Sequence, residues 1–202
     1  MKTFFKVCFV ISLFVLYIFI HSFTYANSIF QNLSSNIFRL HIIANSDSFE
    51  DQNLKLKIRD HILQYLEPFT SSCKSKEEVV QVISNQLLSL QKIALQTTRE
   101  NGYSYNVTLE VGNFYFPTKY YGNISMPSGN YDALRIKIGE ATGQNWWCSL
   151  FPALCFTNVS NGVINSSTKN LLDETLSKEE VNLLTNSSHS VQLKFKLVEI
   201  FH

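Results

Sequence analysis

The sequence predicts an α+β domain, with a mixed or mostly antiparallel sheet, helices packed on one face, and an N-terminal signal segment ahead of it. Three observations predict this class. A β-branched and aromatic run at 37–44 is followed by two helical patterns in succession, at 49–66 and 75–99. Back-to-back helices break the strand–helix alternation of a parallel α/β fold. Period-two segments then recur at 103–111 and 131–138, and again at 191–200, as expected of hairpin-linked strands. The chain has 202 residues, 45% of them hydrophobic and 16% charged, so it holds one domain with a sizeable core.

The N-terminus reads as an export signal. Lys2 and Lys6 precede an apolar run, Val7 to Ile20, broken only by Ser12. That run is shorter than the roughly 20 residues of a comfortable span. Thr24 and Ala26 put small residues where a signal peptidase reads, so residues 1–26 are expected as a cleaved signal. The alternative is an uncleaved anchor, counted from Phe4 with Lys6 snorkelling. Residues 27–36 are polar and read as a linker to a single domain over 37–202.

Within the domain, Ile37 to Ala44 lacks a breaker and reads as a buried strand. Asn45-Ser46-Asp47-Ser48 ends it with turn and cap residues. Leu54, Ile58, Ile62 and Leu66 recur every four residues, and Pro68 is expected to stop that helix. Asp51, Lys55 and Arg59 lie opposite, where a solvated face with weak ion pairs is expected. Ser75-x-x-Glu78 is a capping box opening a second helix, with Val79, Ile83, Leu87, Leu90 and Ala94 as its stripe. Asn101-Gly102 closes it.

Phe114 to Tyr121 surrounds Pro117 and reads as an edge strand or irregular loop. Met126-Pro127-Ser128-Gly129 is a turn, and Tyr131 to Ile138 a strand. A polar spacer covers 158–169, a weakly amphipathic helix 171–184, and a closing strand 191–200.

Charge excludes one class of partner. Seventeen Lys and Arg balance sixteen Asp and Glu, leaving no excess to hold nucleic acid. Zinc spacing is absent, and no metal or other cofactor is expected. His41, Asp47, His61 and Cys73 are candidate catalytic parts, and a Cys nucleophile beside His is conceivable chemistry for an exported hydrolase. His41, however, lies in an apolar strand, and Cys73 has no nucleophile motif around it, so no catalytic residue is assigned.

Two stretches fit recognition instead. Asn45, Ser46 and Asp47 precede a helix N-terminus, where free N–H groups receive anions, although plain capping accounts for them as well. Gly143 to Phe156 gathers both Trp and two of four Cys. Gln144, Asn145, Trp146 and Trp147 combine polar groups with flat apolar faces, as interface hot spots do. The other reading places both Trp in the core. Cys148 and Cys155 are near enough in sequence to close a small disulfide loop capped by Pro152, which export would permit. Cys73 would then remain a lone thiol in a polar loop.

Two runs carry a family resemblance. Phe38-Arg39-Leu40-His41-Ile42-Ile43-Ala44-Asn45-Ser46-Asp47, continued by Asp51-Gln52 and Leu54 to Lys57 with Arg59-Asp60, resembles the N-terminal signature of stage II sporulation protein R. Tyr121-Gly122, Pro127-x-Gly129-x-Tyr131-x-Ala133-Leu134-Arg135, Gly139-Glu140 and Gly143 to Cys148, through Leu154-Cys155-Phe156, resemble its second half. The resemblance covers Ile37 to Phe156 and fades after Asn158. It implies a protein exported from the forespore into the space between forespore and mother cell. There it would switch on a septal membrane-embedded aspartic protease, which processes the precursor of the mother-cell sigma factor. On that reading the chain is a signal and not the enzyme, and the membrane concerns it only through an uncleaved N-terminus. An exported cell-envelope hydrolase using His41 and Cys73 is the alternative, and a purely structural septal protein the third reading.

Overall fold

Alternation along Phe38–Ile43 (β1) sends Phe38, Leu40 and Ile42 to one side of a sheet and Arg39 and His41 to the other. That strand is central. In the computed structural model, which describes residues 2–121, 124–155 and 166–185, β1 lies parallel to Gly129–Ile138 (β5) and antiparallel to Asn145–Phe151 (β6). Val107–Phe116 (β2) pairs antiparallel with β5, giving the order β2-β5-β1-β6. Lys119–Tyr121 (β3) and Ile124–Met126 (β4) form a separate two-stranded ribbon. The sheet is therefore mixed and the class α+β. Phe156, most of the spacer and the expected closing strand 191–200 lie outside the described residues.

The first face is the main core. Phe49–Thr70 (α2) and Lys76–Glu100 (α3) cover it, burying Leu54, Ile58, Ile62, Val79, Ile83 and Leu90 against Leu40, Ile42, Leu134 and Ile136. Each such side chain contributes about 1.5–3 kcal/mol over its exposed state. Ser48 and Ser75 cap the two helices by accepting from the N–H groups of Asp51 and Glu78. Pro68 does not end α2. A proline lacks only one backbone donor, and in a last turn that loss is small; Thr70 Oγ1 also bonds Leu66 O there.

The second face divides along the strands. Its half nearest the start of β1 is apolar, with Ile37, Phe116, Tyr131 and Ala133 buried together with Ile124 and Met126 of the ribbon. Two helical segments pack there, Ser166–Thr175 (α4) and Lys178–Thr185 (α5). The sequence suggests one helix for this region. Ser177 separates two, because Ser177 Oγ accepts from Glu180 N while Ser177 N donates to Glu180 Oε2, and such a reciprocal box begins a helix.

Lys2–Asn36 (α1) is one helix of 35 residues. It is long and apolar enough to cross a membrane, and its large apolar side chains from Phe4 to Phe23, all but the half-buried Ile18, are exposed. Residues 27–36, read from sequence as a linker, continue it. Leu33 is fully buried in the second cluster, and the Phe30 ring meets Tyr131 edge-on at 6.1 Å. A Cβ on Gly129 would lie 2.1 Å from that Phe30 ring, so the approach requires glycine. Asn36 Nδ2 also donates to Glu180 Oε1 at 3.4 Å.

The Trp-Trp-Cys stretch is a strand, not a loop. Pairing with β1 places Trp146, Cys148 and Leu150 with the first cluster and Trp147 with the second. Only 152–155 turn back, and Cys155 bonds Cys148 with Cα atoms 5.4 Å apart. Cys73 is a free thiol in the α2–α3 turn, half-buried rather than exposed.

Two stability predictions follow from this packing. Leu33→Ala should lower unfolding free energy by about 2–5 kcal/mol, whereas Leu88→Ala, at a side chain 75% exposed on α3, should change it by under about 0.5 kcal/mol. Urea unfolding of the full chain in mild detergent would measure both. Reduction of Cys148–Cys155 should cost about 2–2.5 kcal/mol from loop closure, read by the same titration with and without dithiothreitol.

Candidate functional site

Sheet register sorts the second face into rows. Gly112, Ala133, Arg39 and Ser149 lie side by side across the strands; the next row is Glu110, Arg135, His41 and Trp147, and the next Thr108, Lys137, Ile43 and Asn145. Moving away from α1, the face changes from apolar to charged.

Arg39 anchors the lowest of these rows. It is fully buried, and its guanidinium lies 4.2 Å over the Phe116 ring and 5.1 Å from that of Tyr131. Nη2 donates to Tyr121 Oη at 2.9 Å, and Nε reaches Cys148 O at 3.4 Å. Tyr121 in turn donates to Trp147 O at 2.8 Å, tying the ribbon to β6. No carboxylate bonds Arg39 among the described residues, and its Nη1 is buried without a hydrogen-bond partner. Burial lowers its pKa, against the raising influence of Tyr121 and Tyr131.

His41 occupies the middle row, 6% exposed. Its ring stacks on Trp147 at 3.7 Å and meets Phe116 edge-on at 5.8 Å. Nε2 donates to Asn145 Oδ1 at 2.7 Å, which leaves Nδ1 as an acceptor, buried and unpartnered. Burial is the chief reason its pKa falls to about 4; the Asn145 bond opposes the fall, while Arg135, Arg39 and Lys137 deepen it. The imidazole is therefore neutral at pH 7. Beside it, Glu110 Oε1 takes Arg135 at 2.6 Å and Lys137 at 2.9 Å, and Arg135 lies 3.7 Å over the Phe114 ring. These bonds, Lys137 first, hold the Glu110 carboxyl below its ordinary pKa despite burial.

The sequence-predicted residues meet at the far end of this face. Asn45 Oδ1 accepts from Glu140 N at 2.9 Å, and Asp47 Oδ1 from Gln144 N at 2.6 Å. Asn45 Nδ2 and Ser46 Oγ both donate to Asp51 Oδ2. Two loops are thereby laced together so closely that a Cβ on Gly143 would lie 2.1 Å from Ser46 O. Asp51, Lys55 and Arg59 belong to the same lacing and not to a solvated face. Asp51 is 4% and Lys55 5% exposed; Lys55 Nζ donates to Gln144 O, and Arg59 lies 4.2 Å over Trp146. Burial raises the Asp51 pKa, but the Ser46 and Asn45 bonds outweigh it and leave the carboxyl below its ordinary value. Trp146 and Trp147 part to opposite faces of the sheet, and both are half-buried. His61, exposed on α2, bonds Thr97 Oγ1.

His41 and Cys73 do not meet. Cys73 packs at the margin of the first cluster, while His41 is on the second face, so the two cannot act as a nucleophile and base together. Sequence reading passed over Arg39, Arg135, Lys137 and Glu110. Their signal was the alternation of charge with aliphatic residues in β1, β2 and β5.

The depressed His41 pKa carries a sign. Between the unfolded value of 6.5 and about 4 the unfolded chain binds the extra proton, so stability falls as pH drops through that window. The full effect is about 3 kcal/mol. His41→Phe keeps the stack on Trp147 and should remove this part of the slope; unfolding titrations of both proteins at pH 4–7 check it.

The profile of the stage II sporulation protein R family matches residues 34–161, the stretch that holds the whole sheet. Stage II sporulation protein R of Bacillus subtilis (strain 168) is 42% identical over 124 residues, 61% of this chain. The match spans about half, 55%, of that relative's length. No solved structure matches. The chain belongs to the stage II sporulation protein R family.

Proposed function

We propose that this protein is an exported signal of endospore formation, acting between forespore and mother cell. It binds the extracytoplasmic part of a septal membrane-embedded aspartic protease and favours the active state of that enzyme, which then processes the precursor of the mother-cell sigma factor. Family membership over residues 34–161 is the observation that carries this reading. The exposed apolar α1 and the Cys148–Cys155 disulfide are consistent with export. Activation by binding requires tighter binding to the active than to the inactive state, by about 10⁴-fold for a nearly complete switch.

The test is reconstitution. Protease and sigma precursor are placed in vesicles, and purified full-length chain is added from the extracytoplasmic side. Precursor cleavage should rise with its concentration and saturate. Cleavage that stays at its basal rate at saturating protein would reject activation.

A further inference from the structure

The second sheet face carries charged rows beyond its apolar half. Arg135 and Lys137 present side chains 24% and 38% exposed on adjacent rows. Arg39 adds a third positive charge from the row below, with Nη1 still unpartnered. Glu110 is the one carboxylate that the half-exposed Arg135 and Lys137 bond among the described residues, which leaves two cations against one carboxylate. Asn145 is exposed and Trp147 half-exposed along the same rows, giving a polar and a flat apolar group beside the cations. The stacked His41 supports Trp147 from beneath and remains uncharged at neutral pH.

We propose that these rows receive an acidic segment of the partner protease, its carboxylates meeting Lys137 and Arg135 while an adjoining side chain covers Trp147. The inference rests on the function proposed above and names the surface that function would use. Charge complementarity favours this occupant over the chain's own C-terminus, because residues 186–202 carry Lys194 and Lys196 against a single Glu199. Long-range attraction to such a patch speeds encounter and weakens with salt.

Co-purification of the full chain with the protease in detergent, across a salt series, tests it. The variants are Lys137→Glu, Lys137→Gln and Lys92→Glu, the last making the same charge change on exposed α3, with thermal unfolding to confirm that each folds. Lys137→Glu should weaken binding about tenfold and Lys137→Gln by less, with a shallower salt dependence for both. Lys92→Glu should stay within about twofold of wild type. Lys137→Glu binding like wild type, or weakened no more than Lys92→Glu, would remove the patch from the interface while leaving the proposed function standing. Wild-type protein that neither binds nor activates the protease would overturn both. If Lys137→Glu weakened binding to anionic phospholipid vesicles lacking protease as much as it weakens binding to the protease, the patch would belong to the membrane and the acidic-segment proposal would be overturned.

Discussion

A buried guanidinium that bonds no carboxylate among the described residues holds the second face together. Removing an isolated cation from water is costly unless other groups replace its hydration. At Arg39 the replacements come from four strands: Phe116 of β2 and Tyr131 of β5 supply ring faces, Tyr121 of β3 a hydroxyl, and Cys148 of β6 a carbonyl. A charge-assisted hydrogen bond contributes about 1.5–3 kcal/mol and a desolvated cation–π contact about 2 kcal/mol. Those contacts exist only when ribbon, sheet and edge strand are assembled. Arg39 therefore couples elements that share little backbone pairing, and Tyr121 passes the coupling on to Trp147 O.

The edge strand shows the same economy. Among the described strands β6 ends the sheet order, and an open edge invites pairing with another chain. Ser149 O accepts from Leu154 N and Cys155 N, so the turn closed by the disulfide folds back onto the strand. Tyr121 covers the carbonyl of Trp147 two residues earlier. The disulfide and the tyrosine thus blunt neighbouring parts of one edge, and the half-buried tryptophans are left to their side-chain environments. Trp146 is roofed by Arg59, and Trp147 rests on His41.

Much of this was legible in the residues. The stripe from Leu54 to Leu66 declared a helix because its partners are simply apolar, and any sheet face would bury it. The capping box at Ser75 is local and opened its helix where expected, whereas the hydrophobic pattern ran together two helices that Ser177 separates. The roles of Asp51, Lys55 and Arg59 were not legible. On a helical wheel they form a polar stripe, and only distant segments, Asn45–Ser46 and Gln144–Trp146, turn that stripe into a buried contact. Gly143 was unreadable for the same reason: its need for glycine comes from Ser46 O, far away in sequence. Asn145 to Phe151 was misread because two cysteines drew attention to a loop. The β propensity of Trp146, Trp147 and Phe151 described the strand better.

Register then gives the two halves of the second face different tasks. β1 begins two residues beyond α1, and each row along it lies about 6.6–6.8 Å farther out. The row of Arg39 lies over the apolar cluster that Leu33 and Phe30 enter from α1. The rows of His41 and then Ile43 stand roughly 7 and 13 Å beyond it, where the charged side chains are. Burial is thus concentrated at the end where the chain arrives from its membrane-length helix, and the exposed charge at the opposite end. The lacing of Asn45 and Asp47 to Glu140 and Gln144 fixes that far end, so Lys137 and Asn145 stand on strands whose tips cannot splay. A surface fixed in this way loses little conformational entropy when a partner arrives. The strand ends are held because the polar loop residues are hydrogen-bonded to one another, and the sheet between them inherits that order.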